Sequence, residues 1–298
     1  METIKDNSKD EKVSLAIKLI EKMPSLPQVI INIQNMLRDE TTPAKRLALE
    51  LTKDPILAAE TLRIVNSPLY GFITQVTSLE QAVVILGTKT ISRLVTVAWS
   101  KRIMMGEQKG YGQQRGENAV SSLIGGYAAK KVAEISGLRT ISDIIFTSAV
   151  LRNIGKIALD ALLKDRITQI FEKVRQDRKP FWIVEREIFG FDHSELGYMI
   201  AQKWNLPKEI CLTIRYFHWP SSFKGENIIL KIISCAHIGD TISMMVGDSS
   251  SRDSMLYQFD TNTFSILGIK EEDFYSIAQD TASSVEDIKT EIYGETKV

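Results

Sequence analysis

The sequence is poor in the residues that build metal centres. Its 298 residues include two cysteines, Cys211 and Cys235, and three histidines. Both cysteines lie in apolar stretches of helical pattern, which suits small core residues in a reducing cytoplasm. Two cysteines so far apart, with so few histidines, do not supply a zinc site. A fold stabilised by a structural zinc ion is therefore not expected.

The chain also lacks net charge and an uninterrupted apolar run. Lys plus Arg and Asp plus Glu number 37 each, so no global field draws the protein to nucleic acid or to an anionic membrane. Residues 1–12 alternate acidic, basic and polar side chains, unlike a signal peptide. The most apolar stretch, 228–246, is interrupted by Lys231, His237 and Asp240, which favours a buried helix over a bilayer span. These absences predict a cytoplasmic protein that binds neither membrane nor nucleic acid.

What the sequence does contain is helical periodicity from end to end. Hydrophobic residues make up 44% of the chain and charged residues 25%, which is enough to bury a large core. Apolar residues recur at helical spacing in almost every segment, and no alternating strand pattern of useful length appears. The sequence therefore predicts an all-α protein of two packed helical bundles with a C-terminal helix.

Several helix starts are marked by capping residues. Thr42-Pro43 and Asp54-Pro55 each place a capping side chain before a proline at the first helical position. Three capping boxes mark further starts: Ser25 with Gln28, Ser78 with Gln81, and Asp192 with Glu195.

Other segments are assigned by their pattern. The periodicity predicts helices over 118–135, 141–163, 165–175 and 271–293. Residues 104–116 are rich in Gly, Gln and charge and have no periodicity, so we interpret them as a linker. Gly125-Gly126 lies inside a predicted helix, where each glycine costs about 1 kcal/mol relative to alanine. This pair predicts close helix packing.

Four sequence blocks follow one another along the first hundred residues. They are MPSLP (23–27), DPILA (54–58), LRIVNSPLYG (62–71) and VTSLEQAVVILG (76–87). In this order they resemble the N-terminal half of HDOD domains.

The third block contains the family's signature turn, here Asn66, Ser67, Pro68, Tyr70 and Gly71. Proline and glycine prevent the preceding helix from continuing. Two roles stay open for this turn. A sharp corner between helices is favoured, and a partner-facing surface is the alternative.

Three later blocks are similar to the second half of the HDOD domain: AVLRNIGK (149–156), GFDHSELG (190–197) and WNLPKEI (204–210). That half is in turn similar to the metal-dependent HD phosphohydrolases. The resemblance implies a signalling or regulatory module with no established catalytic chemistry. It divides the chain into a lead-in (1–20), an HDOD domain (21–246, with subdomains 21–105 and 117–246) and a C-terminal helical extension (247–298).

The resemblance also locates the metal ligands of catalytic HD proteins, which are a His, an adjacent His-Asp pair and a distant Asp. At the pair this sequence has Arg152-Asn153, and arginine has no lone pair to offer a cation. The upstream His falls near Ser121 and is missing, whereas Asp240 matches the last ligand. The implied bundle is a degenerate one with no metal and no other cofactor. We predict that Arg152 fills the vacated cation position and pairs with Asp240; an Arg152 that points to solvent is the alternative.

The histidines are the remaining ligand candidates. His193 and His218 match family positions and are expected to support the pocket, with residual metal binding beside Asp240 as the alternative. His237 is expected to be a hydrogen-bonded core residue. The predicted vestigial pocket comprises Ser121, Arg152, Asn153, Lys156, His193, His218 and Asp240.

The leading prediction is a regulatory protein without catalytic residues that acts through contacts with an unidentified signalling protein. No attached receiver, kinase, output or DNA-binding module is recognised, so this partner is expected in trans. A small ligand or nucleotide in the vestigial pocket could gate the contact. Two alternatives stay open: a divergent metal-dependent phosphohydrolase, and a cyclic-dinucleotide or nucleotide sensor without turnover.

Overall fold

The computed structural model describes residues 7–37, 42–67, 70–247 and 251–293. Throughout these ranges the regular structure is helical, apart from one isolated bridge between Gln108 and Gln113. The predicted all-α class is therefore confirmed. The chain forms two compact units: the smaller spans 25–103, and the larger combines 1–24 with 104–298.

The smaller unit is built from five helices: α2 (Gln28–Met36), α3 (Ala44–Leu51), α4 (Pro55–Val65), α5 (Leu79–Leu86) and α6 (Thr88–Met104). Asp54 caps α4 as predicted, because its side chain accepts from Leu57 N–H at 3.0 Å. Ser78 likewise caps α5 by accepting from Gln81 N–H. The predicted cap by Thr42 is wrong, since its hydroxyl donates to Met36 O and Pro43 takes the N-cap position of α3.

The cap predicted at Ser25 is wrong for a similar reason. Helix α2 begins at Gln28 with Pro27 at its N-cap, and no side chain caps it.

The signature turn after α4 is held by one asparagine. The Asn66 amide donates to Val76 O at 2.9 Å and accepts from Val76 N–H at 2.8 Å, which fixes the end of α4 to the approach to α5. Gly71 has φ +61°, in the left-handed region that glycine tolerates. Pro68 lies outside the described residues. These contacts give the turn a structural role, and the partner-facing role stays a prediction.

The larger unit contains α1 (Asn7–Glu21), α7 (Glu117–Ile135), α8 (Ser142–Leu151), α9 (Ile154–Asp177), α10 (Phe181–Phe189), α11 (His193–Lys203), α12 (Lys208–Tyr216), α13 (Asn227–Val246), α14 (Asn262–Leu267), α15 (Glu271–Ser283) and α16 (Val285–Tyr293). Helices α7 and α13 form its centre and pack along each other. Helix α13 is long and apolar enough to cross a membrane, but most of it is buried in this core. Core packing thus accounts for its composition, as predicted.

Two predicted helix boundaries are wrong. The break expected near residue 164 lies instead at Arg152-Asn153, between α8 and α9. Arg152 Nη1 donates to Ala149 O at 2.7 Å and so satisfies a carbonyl at the end of α8. The helix predicted over 271–293 breaks at Ser284, because α15 and α16 each turn an apolar face towards α7.

The predicted linker is also wrong. Residues 105–116 belong to the larger unit, where Tyr111 is fully buried and its carbonyl accepts from Arg252 N–H at 2.8 Å. The predicted lead-in forms α1, which packs on α9 and α11. Lys203 Nζ donates to Ile20 O at 3.0 Å and fixes the end of α1.

Candidate functional site

Arg152 lies at the centre of the larger unit and is completely buried. A guanidinium carries five N–H donors, and each of them has an acceptor here. The acceptors are Asp240 Oδ1 at 2.6 Å, Ala149 O at 2.7 Å, Ser243 Oγ at 2.9 Å, Ser121 O at 3.2 Å and Ser122 O at 3.3 Å. The predicted pairing of Arg152 with Asp240 is therefore confirmed, and an Arg152 that points to solvent is wrong.

The glycines of α7 make room for this ion pair. A Cβ on Gly125 would come within 2.4 Å of Arg152 Nη1, and a Cβ on Gly239 of α13 would come within 2.3 Å of Gly125 O. A Cβ on Gly126 would meet Val150 at 2.5 Å. The prediction of close helix packing at Gly125-Gly126 is thus confirmed. Gly125 has the additional role of admitting the guanidinium.

A cavity of about 300 Å³ opens beside Arg152, with α7 and α13 forming much of its wall. Ser121, Asn153, Lys156 and Asp240 of the predicted pocket line it. Asp240 gives one carboxylate oxygen to Arg152, and its Oδ2 has no hydrogen-bond partner among the described residues. Arg152 lies behind the wall and is not one of the lining residues.

Lys156, which lines the cavity, pairs with a carboxylate that follows α13. Its Nζ lies 2.7 Å from Asp253 Oδ2, and both side chains are buried. Burial alone would raise the pKa of Asp253, but the charges of Lys156 and His193 and the hydrogen bonds from Lys156 and Ser251 together outweigh it, and the pKa lies below its ordinary value. Lys156 Nζ also lies 5.4 Å from the centre of the Tyr111 ring. This ring connects the cavity wall to a second polar cluster.

The second cluster is a buried hydrogen-bond chain made of Tyr111, Glu185, His193 and His218. The Tyr111 hydroxyl donates to Glu185 Oε1 at 2.7 Å, and Glu185 Oε2 lies 2.7 Å from His193 Nδ1. His193 Nε2 lies 2.8 Å from His218 Nε2, and the His218 ring stacks on Trp182 with centroids 5.4 Å apart. Each nitrogen of His193 thus has a partner, whereas His218 Nδ1 has none among the described residues.

The pKa values of His193 and His218 are shifted in opposite directions. Burial works to lower the pKa of His193, but the charge of Glu185 and its hydrogen bond outweigh burial, so the pKa is raised. Burial, and then the neighbouring His193, hold the pKa of His218 well below its usual range. Burial together with Glu185 raises the pKa of Tyr111 well above its ordinary value. Of the two imidazoles, His193 is therefore the one whose protonated form is favoured, with the Glu185 carboxylate beside it.

His237 is a hydrogen-bonded core residue, as predicted. Its Nδ1 lies 2.8 Å from Phe217 O, and its Nε2 accepts from Asp260 N–H at 2.9 Å. This arrangement fixes the neutral tautomer with the proton on Nδ1. Burial accordingly lowers the pKa of His237.

The sequence placed His193 and His218 in the same pocket as Arg152, and the structure corrects this. Neither histidine lines the cavity. The reason is Glu185 of α10, whose carboxylate accepts from both the backbone N–H and the ring of His193 and so directs the ring away.

Sequence reasoning missed three members of these clusters. Glu185 lies on α10, a helix that was not predicted, and its burial between Val184 and Phe189 gives only a weak signal. Tyr111 lies in the predicted linker, and Asp253 lies in a short polar stretch without helical periodicity. Each of these three residues meets its partners through contacts between segments that are distant in sequence, and local sequence pattern does not encode such contacts.

The donor set does not fit the metal of catalytic HD proteins. Where that metal needs an imidazole and a carboxylate side by side, a fixed guanidinium lies 2.6 Å from the remaining Asp240 carboxylate. No group of three His, Cys, Asp or Glu side chains within the described ranges is arranged to hold an ion. Asp240 is thus paired with Arg152, and the filling of a former cation position by the guanidinium stays a prediction.

Comparisons with known proteins agree with the fold. A family model, the HDOD domain, matches residues 23–220. An uncharacterized protein of Treponema pallidum (strain Nichols) is 21% identical over 199 residues, which are 67% of this chain and 38% of that protein. The chain therefore spans well under half the length of this curated relative.

Two solved structures are similar over almost the whole chain. An HDOD domain protein of unknown function from Geobacter sulfurreducens has a TM-score of 0.69 and 20% identity, covering 97% of this chain and 100% of that one. A protein from Shewanella amazonensis SB2B named "Putative phosphohydrolase" has a TM-score of 0.67 and 21% identity, covering 93% of this chain and 98% of that one. At these identities the similarity shows the fold alone.

Proposed function

The chain belongs to the HDOD domain family, and we propose that it is a regulatory protein without catalytic activity that acts through protein–protein contacts. One observation carries the first half of this proposal. The five N–H donors of Arg152 are all bonded, and its charge lies 2.6 Å from Asp240, the residue that the resemblance matches to a metal ligand. A metal ion there would face a buried positive charge only a few ångströms away, which is strongly unfavourable in a low-dielectric interior.

The proposed action through protein–protein contacts rests on the surface of the smaller unit. Leu49 on α3, Ile56 on α4 and Val84 on α5 are 67%, 59% and 72% exposed. The three helices that carry these side chains contact one another, and we propose that the exposed apolar side chains belong to a surface that another protein covers.

The phosphohydrolase alternative is supported by the name of one solved relative and by the two adjoining imidazoles, and a single experiment separates the two functions. Metal content is measured by mass spectrometry on protein purified without a metal-binding tag. Hydrolysis of a generic phosphodiester and a phosphomonoester is then measured with added Mn²⁺ or Ni²⁺ for the wild type, His193→Gln and His218→Gln. We expect no stoichiometric metal, and the same background hydrolysis in all three proteins. Bound metal together with hydrolysis that is lost in His193→Gln would establish the enzyme instead.

The contact surface is tested by photo-crosslinking in the native cell. A photoreactive amino acid at Val84 is expected to capture one defined protein, and Val84→Glu should abolish the complex of the two purified proteins. The control is the same probe at Lys208, an exposed charged residue of the larger unit. Equal capture from both positions would contradict a role for the apolar side chains.

A further inference from the structure

We propose that the cavity beside Arg152 binds an uncharged purine base or nucleoside. The proposal goes beyond regulation by protein contacts, which does not require an occupied cavity. It starts from two primary amides in the wall, those of Gln113 and Asn153. They are 4% and 2% exposed, and both line the cavity.

Neither amide is used by the fold. Gln113 Oε1 has no hydrogen-bond partner among the described residues. Asn153 stands at the N-cap position of α9, but its side chain caps none of the helix N–H groups and bonds to no other described residue. A buried amide without partners costs about 1–3 kcal/mol. The unpartnered Gln113 Oε1 and the Asn153 amide, which does not cap α9, lie in the wall of one cavity and point to a ligand that pairs with amides.

The charges of the wall select against an ionic ligand. Asp240 is neutralised by Arg152, Lys156 is neutralised by Asp253, and Lys289, which also lines the cavity, pairs with Glu286. An anion such as a phosphate would therefore meet lysines that are already paired, together with the carboxylate of Glu117 in the wall, and its burial is costly. The groups that remain for recognition are neutral amides.

The chemistry of the amides identifies the class of ligand. Asn and Gln present a donor and an acceptor side by side, which matches the paired donor and acceptor on the edge of a purine base. Val120 and Ile124 on α7 and Met244 on α13 supply apolar wall for the faces of a planar ring. The volume of about 300 Å³ lies at the lower end of the range for ligand pockets, which suits one base with its sugar.

The structure provides a matched pair of variants. Gln113 and Gln108 face each other across the isolated bridge, and both are buried with an unpartnered side-chain oxygen. Only Gln113 lines the cavity. Gln113→Leu and Gln108→Leu therefore make the same chemical change in the same loop, inside and outside the proposed site. Each removes an unpartnered amide, so both variants should fold with stability equal to or above that of the wild type.

The test is isothermal titration of adenosine, guanosine and their 5′-monophosphates into the full chain. We expect saturable one-to-one binding of at least one nucleoside by the wild type and by Gln108→Leu. Binding should be about tenfold weaker in Gln113→Leu, which loses the hydrogen bonds of one amide. Asn153→Leu should weaken it similarly, and the monophosphate should bind more weakly than its nucleoside.

Three results would overturn the proposal. They are no saturable binding of either nucleoside up to millimolar concentration, equal weakening in Gln108→Leu and Gln113→Leu, and tighter binding of a monophosphate than of its nucleoside.

Discussion

The Nε2 atoms of His193 and His218 lie 2.8 Å apart, which is hydrogen-bond distance between two buried imidazoles, so one of the two nitrogens donates and the other accepts. Glu185 holds the other nitrogen of His193 at 2.7 Å. When His193 is charged, both of its N–H groups donate, and His218 stays neutral as the acceptor. Protonation of this histidine pair therefore affects the free energy of unfolding of the larger unit.

The first prediction concerns pH. The folded-state pKa of His193 is raised, so its contribution to stability is fully present below the unfolded pKa of about 6.5 and is lost as pH rises through the folded pKa. The free energy of unfolding, measured by urea denaturation from pH 6 to pH 9, should fall less steeply with pH in His193→Gln than in the wild type.

His237→Gln is the matched control, because the pKa of His237 is lowered by burial. Its contribution is fully present above the unfolded pKa of about 6.5 and is lost only as pH falls below that value, so the difference from the wild type should stay constant from about pH 7 to pH 9. If both variants changed the pH dependence in the same direction, the assigned charge on His193 would be wrong.

The second prediction concerns the buried ion pair. Arg152→Met leaves Asp240 as an unpaired buried charge, and the free energy of unfolding should fall by about 3–5 kcal/mol. The double variant Arg152→Met with Asp240→Leu removes both charges and should recover much of that loss.

The Lys208–Glu226 pair provides the comparison, because both of its side chains are more than 60% exposed. Lys208→Met should cost at most about 1 kcal/mol. A loss in Arg152→Met no larger than this would show that the buried pair contributes little. A double variant as unstable as the sum of the two single ones would show that the two charges are not coupled.

The third prediction concerns Gly125. Alanine is the better helix former by about 1 kcal/mol, but its Cβ would press on the guanidinium of Arg152 at 2.4 Å. Overpacking a core costs about 1–3 kcal/mol, so Gly125→Ala should lower the free energy of unfolding. In the Arg152→Met background, where the guanidinium is absent, the same substitution should cost less. If Gly125→Ala lowered the free energy of unfolding equally in the wild type and in Arg152→Met, contact with the guanidinium would not be the cause of the destabilisation.

The sequence predicted those features that depend on local pattern. The capping box at Asp192 and Glu195 marks the start of α11, because both of its bonds join residues three positions apart. The Arg152–Asp240 pair joins residues 88 positions apart. The resemblance predicts this pair, because Asp240 matches a metal ligand of catalytic HD proteins and a buried charge needs a partner.

The remaining features depend on contacts that local pattern does not carry. Tyr111 lies in a stretch rich in glycine and charge, and it is buried because Arg252 and Glu185 bond to it from distant segments. Ser25 has the pattern of a helix cap, yet Pro27 starts α2 without any side-chain bond. The break at Arg152-Asn153 also escaped prediction, since periodicity continues across it while the guanidinium turns into the core.

The family model matches residues 23–220, but the larger folded unit continues beyond residue 220. The match ends at residue 220, but Asp240 neutralises Arg152, Asp253 neutralises Lys156, and Asp260 fixes His237. A fragment cut at the homology boundary would carry two buried cations without their anions, and α7 would lose the helix it packs along. Such a fragment should lack the cooperative urea unfolding of the intact chain. The later carboxylates therefore make this stretch part of one autonomous folding unit, rather than an appendage to it.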